Sequence, residues 1–276
     1  MGKNVGTKSG NAGLLIVTTL VALPFVPLFL WAFAGEWRFP DLLPSAWSVR
    51  GLSYLFEPGG RVLGATLNSL LIAVSVALAS VVIGTPAGMA LGGYEWRMKG
   101  LVIFFILLPI LVPPLASTMG LHVTFIRLGL ADTTLGVFLV HLVPTVPYTA
   151  IIMTSIFAER TGELEEAART LGANPWQAFR HVTLPEVAPG VAVAGLFAFL
   201  ISWGQYILTL LIGGGNVVTL PMLLFSAASG NDPIITSALA IVFTLPAVLA
   251  LVVALRFLKP GESDDGRGFV GLGKVS

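Results

Sequence analysis

Charge-free apolar runs of bilayer length alternate with short polar stretches along this chain. A helix that crosses hydrocarbon needs about 20 mostly apolar residues. Stretches that meet this length without Asp, Glu, Lys or Arg are Leu14–Phe33, one within Val62–Gly93, Leu101–Leu121, Thr134–Phe157, Pro189–Ile212 and, but for Arg256 near its end, Ile234–Leu258. Each predicts a membrane span. Pro24 and Pro27 kink the first, and Pro86 bends the second. Pro109, Pro113 and Pro114 interrupt the third, so its freed carbonyls must face protein or water rather than lipid. Gly84, Gly88 and Gly92 recur every four residues, a spacing that lets helices approach closely in lipid. Packing within the bundle is the favoured use of that stripe over a dimer motif.

The polar intervals set the topology. Residues 35–61, with Pro40, Pro44 and Pro58, read as a loop outside the bilayer. Residues 216–233 read as another external loop, with a short re-entrant or interfacial piece at Leu220–Ser229. Of the 15 Lys and Arg, only Arg38, Arg50, Arg61 and Arg127 fall on the side of those loops. The other eleven lie on the side of both termini, which the positive-inside rule makes cytoplasmic. A cleaved signal peptide is the rival reading of the first run, because Ala32-Phe33-Ala34 fits an A-x-A site after a basic start. The run is longer than the usual ~7–15 residues of such a segment.

Composition agrees. The 276 residues are 55% hydrophobic and 11% charged, whereas soluble domains are about a quarter charged. The net charge of +1 says little about partners. With no cysteine, disulfides, thiolate metal sites and cysteine nucleophiles are excluded. Three divisions follow: an N-terminal tail, first span and external loop (1–61), a core of five spans (62–258), and a Gly-rich charged tail (259–276) expected to be disordered. The fold class is all-α, a polytopic bundle of six transmembrane helices.

The interval at 159–186 is the most structured polar stretch. Glu163–Leu171 reads as a short helix, with Thr161 as N-cap and Glu163 near the positive end of the dipole. Glu165 and Arg169 are four apart in the favoured order. Gly172 ends this helix. Asn174-Pro175 starts a second, with Asn as cap and Pro at the first position. Trp176, Phe179 and Val182 give it an apolar stripe, and it is expected to end before Leu184-Pro185. Both helices should lie along the cytoplasmic interface.

Glu166-Ala167-Ala168, Gly172 three residues on, then Val182, Leu184 and Pro185 resemble the EAA loop of ABC importer permeases, the binding-protein-dependent inner-membrane components of MetI-like fold. Val182 stands where isoleucine is usual. Thr66-Leu67-Asn68-Ser69-Leu70, the Pro-rich third span and Leu220-Pro221 are also similar to that family, so the likeness covers about residues 60–258. It implies that the first helix of the loop is a cytoplasmic coupling helix seated in a separate ATPase subunit. Glu166, Ala167, Ala168, Arg169, Gly172, Leu184 and Pro185 would make or shape that contact. It also implies a second permease subunit, identical or not, an extracytoplasmic solute-binding protein, and residence among the lipids of a bacterial inner membrane. Thr170-Leu171-Gly172-Ala173 and the short loops are nearest to the polyamine, thiamine, iron and sulfate group. Sugar-type permeases come second.

No phosphate-binding Gly-rich loop with its Lys is present, so ATP would be used by the partner and no cofactor is expected on this chain. No catalytic triad, metal-ligand cluster or nucleic-acid signature appears, and the chain is not expected to be an enzyme. Polar groups within spans are costly in lipid and tend to face the interior or a watery path. Asn68, His141, Tyr148, Ser202, Gln205 and Tyr206 are the pathway candidates on that ground. Helix–helix hydrogen bonding is the competing use of each, and is favoured for His141. A secondary transporter is the main alternative function, but such proteins usually need intramembrane ionisable groups and often show inverted repeats. A structural scaffold that uses the loop as an interaction site is a third.

Overall fold

The computed structural model describes residues 19–258 apart from positions 21 and 39. The predicted first span lies partly outside them, as does the tail from Lys259. Helix α1 (Phe25–Ala32) leads into a hairpin of β1 (Ala34–Glu36) and β2 (Ala46–Trp47), then α2 (Arg50–Leu55). The core follows as α3 (Arg61–Gly93), α4 (Lys99–Leu111), α5 (Pro114–Arg127) and α6 (Thr134–Ala158). The polar interval holds α7 (Glu163–Thr170), α8 (Pro175–Ala178) and a π-turn (Phe179–Thr183). Then come α9 (Leu184–Trp203), α10 (Ile207–Gly213), α11 (Leu220–Ser229) and α12 (Pro233–Leu258). The chain is thus predominantly helical, and the two-stranded hairpin of β1 and β2 departs from a purely helical expectation.

Four described helices are long and apolar enough to cross a membrane: Arg61–Gly93, Thr134–Ala158, Pro175–Trp203 and Pro233–Arg256. The predicted third span is two helices, bent by 98° between Leu111 and Leu115. Proline disfavours the α conformation in the residue before it, and Pro113-Pro114 applies this twice in succession. The segment from α1 to β2, which contains Ala32-Phe33-Ala34, is folded against the bundle. Ala32 and Ala34 are buried, and α1 packs on α12.

The centre is the seam between α3 and α6. A Cβ added at Gly84 would come within 2.7 Å of Thr149 Cβ, one at Gly88 would overlap Met153 Cβ, and one at Gly92 would overlap the Thr154 carbonyl. The glycine stripe therefore serves packing within the bundle. Lipid tails offer no hydrophobic drive between helices, so such close contact supplies the dispersion energy that holds them. Around the seam, Ile72, Val76, Phe125, Val137, Val140 and Ile212 form one apolar cluster. Met153, Phe157, Val187 and Ala194 form another toward the α7 end. A third gathers Val62, Ala73, Phe199, Trp203, Leu220 and Leu239. There Trp203 stacks between Phe199 and Phe243 and donates its Nε1–H to the Phe243 carbonyl at 3.0 Å.

Two boundaries differ from expectation. The second loop helix does not end before Leu184-Pro185. It widens into the π-turn, where Leu184 N–H donates to the Phe179 carbonyl five residues back, and continues into α9. Pro185 lacks an N–H, and the shifted ladder takes up that gap in the first turn of α9. The fifth span also does not run straight to Ile212. It stops at Trp203, opens at Gly204-Gln205-Tyr206 and restarts as α10, which closes on Gly214.

Candidate functional site

Two separate places collect the predicted site residues. The first is the polar loop. Helix α7 buries no residue. Its acidic first turn (Glu163, Glu165, Glu166) and Arg169 in the last turn both favour the helix dipole. Gly162, not Thr161, occupies the N-cap, with φ +73° and no side-chain cap bond. Gly172 follows the helix at φ +93°, where a Cβ would be strained. The second helix starts as expected. Asn174 accepts from Gln177 N–H and Gln177 Oε1 accepts from Asn174 N–H, both at 2.9 Å, a complete capping box with Pro175 next in line.

Glu166, Ala167, Arg169, Gly172, Leu184 and Pro185 are all exposed, and Ala168 is half-buried. Beside them stand Leu164, Leu171 and Trp176, exposed by 65%, 88% and 66%. Bare apolar side chains beside an acidic helix suit contact with a protein or with the membrane interface. Leu164 and Leu171 were not singled out from the sequence, although large apolar residues in a polar loop are the signal that could have found them. Glu165 does not pair with Arg169. It accepts from Thr183 Oγ1 at 2.8 Å and lies 3.8 Å from Arg160.

The second place lies where the spans break. Ser117 and Thr118 of α5, Val143 and Pro144 of α6, and Gly204, Gln205 and Tyr206 between α9 and α10 line a cavity of about 370 Å³ with Pro109 and other apolar neighbours. Pro144 is ten residues into α6, so the cavity sits about 15 Å along that helix. No Asp, Glu, Lys or Arg lines it. Tyr206 stacks on Phe225 of α11 with ring centres 4.3 Å apart.

His141 and Ser202 belong to a buried network next to this break. His141 Nδ1 is 2.9 Å from Ser202 Oγ, and Nε2 is 2.9 Å from Thr209 Oγ1. Thr209 donates to the Gln205 carbonyl, so its oxygen accepts from His141 Nε2–H, and Ser202 donates to Nδ1. The ring thereby ties α6 to α9 and α10 on both sides of the gap. Below it, Thr145 donates to the His141 carbonyl and accepts from Ser80 of α3, both at 2.8 Å. The remaining candidates stand apart. Asn68 donates to the Val218 carbonyl at 3.2 Å near the start of α3, and Tyr148 is exposed on α6 one turn beyond Pro144 and does not line the cavity. Thr209 was missed because its histidine is 68 residues away in sequence. Among the described residues no group of His, Asp and Glu is arranged to hold a metal.

Known proteins agree with this architecture. Residues 84–261 match the family model described as "binding-protein-dependent transport system inner membrane component". The chain is 27% identical to the trehalose transport system permease protein SugB of Mycobacterium tuberculosis over 93% of this chain and 97% of that one. It is 26% identical to the putrescine transport system permease protein PotI of Escherichia coli over 87% of each. Its fold is similar to a chain of a bacterial ABC transporter that imports the acidic polysaccharide alginate, with a TM-score of 0.69, 18% identity, and coverage of 93% and 98%. The family match spans well over half of the chain and includes both the loop and the cavity, so this protein belongs to the inner-membrane permease components of binding-protein-dependent ABC importers.

Proposed function

We propose that this chain forms the path by which a small polar solute enters the cell, and that a separate ATPase drives it by pulling on α7. The carrying observation is the character of α7: without a buried residue, acidic at its start, bracketed by Gly162 and Gly172 in left-handed conformations, and with Leu164 and Leu171 exposed. In this reading Glu166, Ala167, Ala168 and Arg169 seat in the ATPase, Gly172 sets the angle to α8, and Leu184-Pro185 begins the span that is moved. The solute arrives from an extracytoplasmic binding protein. A second permease subunit, identical or related, completes the channel. The chain crosses the membrane six times with both termini in the cytoplasm, the N-terminal span being the one that begins before the described residues.

The pathway runs through the cavity at the helix breaks, with Gln205 and Tyr206 facing it and His141 and Ser202 holding its wall. Asn68 and Tyr148 stand outside that wall. Two solute classes have support. The Thr170-Leu171-Gly172-Ala173 segment and the putrescine permease favour a polyamine-type solute. The trehalose permease, together with a lining of hydroxyl, amide and aromatic groups without charge, favours a neutral sugar. An uncharged wall gives a polycation no counter-charge to replace its lost hydration.

The test is reconstitution with the co-purified ATPase and a binding protein. ATP-dependent uptake of labelled trehalose against labelled putrescine is measured, with Gly172→Pro as the uncoupled control. Failure of any ATPase to co-purify, or uptake that survives ATP depletion while an ion gradient stands, would overturn the reading.

A further inference from the structure

A coupling helix must hand its displacement to the bundle, yet both covalent joints of α7 are soft. Gly162 on one side and Gly172 on the other sit at positive φ, where glycine turns with little steric resistance. A rigid connection must therefore be non-covalent. One guanidinium offers it. Arg160, just past the end of α6, is only 11% exposed. It lies 2.8 Å from Glu186 in the first turn of α9 and 3.8 Å from Glu165 on α7. Thr183 of the π-turn donates to Glu165 at 2.8 Å and is 3.4 Å from Arg160. The guanidinium also lies against the Phe157 ring of α6, 5.7 Å from its centre. Three elements thus meet on one side chain: the foot of α6, the coupling helix and the foot of α9.

The charge balance makes the link stiff. One cation, its side chain 11% exposed, faces two carboxylates, and losing it leaves the half-buried Glu165 without its counter-charge. All three contacts, with Glu165, Glu186 and Thr183, run from one guanidinium nitrogen, Nη2. We propose that Arg160 is the positioning residue that makes α7 and the fifth span move as one body, so that displacement by the ATPase reaches α9 through Glu165, Arg160 and Glu186 rather than through the loop backbone. This rests on α7 being the ATPase-docking helix.

The absence of native cysteine allows spin labels at chosen pairs. Glu163→Cys with Phe197→Cys reports α7 against α9, and Ser155→Cys with Phe197→Cys reports α6 against α9. The expected result is a narrow Glu163–Phe197 distance distribution that stays the same with and without a non-hydrolysable ATP analogue in the ATPase complex. In Arg160→Gln its width about doubles, as for a segment released from its tertiary contacts, while the Ser155–Phe197 pair is unchanged. Arg160→Lys restores part of the narrowing. Glu165→Ala, which cuts only the α7 end, gives the same broadening and covers the case in which Arg160→Gln does not fold. Unchanged width in Glu165→Ala or Arg160→Gln overturns the proposal, as does broadening of both pairs together, which would mean general loosening. If the wild-type chain binds no ATPase, the functional reading falls. The distributions of the isolated subunit still decide whether Arg160 ties α7 to α9.

Discussion

The α3–α6 seam and the α7 loop use the same residue, glycine, for opposite ends. In the seam Gly84, Gly88 and Gly92 lie in helical conformation with partner atoms where a Cβ would be. In the loop Gly162 and Gly172 have nothing within 4 Å of a would-be Cβ but take φ values of +73° and +93°. The first set removes side-chain volume so that two backbones can touch. The second removes steric resistance so that a helix can turn. Stability therefore concentrates in the seam, and transmission concentrates in the loop.

Substitutions that cross this division should separate the two properties. The largest loss of stability is expected for Gly88→Val, which drives a side chain into Met153. It should destabilise the solubilised subunit by about 3 kcal/mol, seen as a lower thermal midpoint. Ser202→Ala comes next. It leaves His141 Nδ1 buried without its hydrogen-bond donor, at a cost of about 1–3 kcal/mol, and double substitution with Thr209→Ala should be non-additive because both act on one ring. Gly172→Val forces a β-branched residue into the left-handed region at about 1–2 kcal/mol. Its melting curve should shift little, but ATP-driven uptake should be lost. Glu166→Gln is expected to leave the thermal midpoint within the error of an exposed substitution, about 0.5 kcal/mol. It should still weaken ATPase binding about tenfold, as for the loss of about 1.4 kcal/mol of contact energy. A Glu166→Gln chain that melts early, or a Gly88→Val chain that melts normally yet loses uptake, would break the division.

The sequence exposed most of the loop because its signals are local. Asn174 and Pro175 are adjacent and took the cap and first positions as expected, and Gln177 completes a capping box that was not singled out. Gly172 marked a real break. The N-cap at Thr161 was misplaced by one residue because Gly162 can take a conformation that threonine avoids, and composition does not rank the two. The π-turn was invisible, since Phe179–Thr183 carries no residue that demands a wider turn. Thr183 at its end is buried against Glu165 and Arg160, contacts that local sequence does not show. The four long spans were legible by length and charge, but the break at Gly204 was not, and Ser202, Gln205 and Tyr206 stood out only as a patch of polar residues in the fifth span. What makes that patch a wall is a histidine 61 residues earlier in the chain, a relation no window along the sequence contains.

The π-turn has a consequence for phase. An α-helix advances about 100° per residue, so accommodating one extra residue rotates everything after it by about that angle relative to α8. The capping box fixes where α8 begins, and the wider turn then re-aims α9. Glu186 is the first charged residue beyond that correction, and it meets Arg160. Forcing Phe179–Thr183 into a regular α-helix of unchanged length would turn Glu186 and the cavity-facing side of the fifth span by that angle away from their partners, whereas removing one residue together with the wider turn would leave them in place. The five residues set the phase between the polar loop and the fifth span by residue number rather than by side-chain identity.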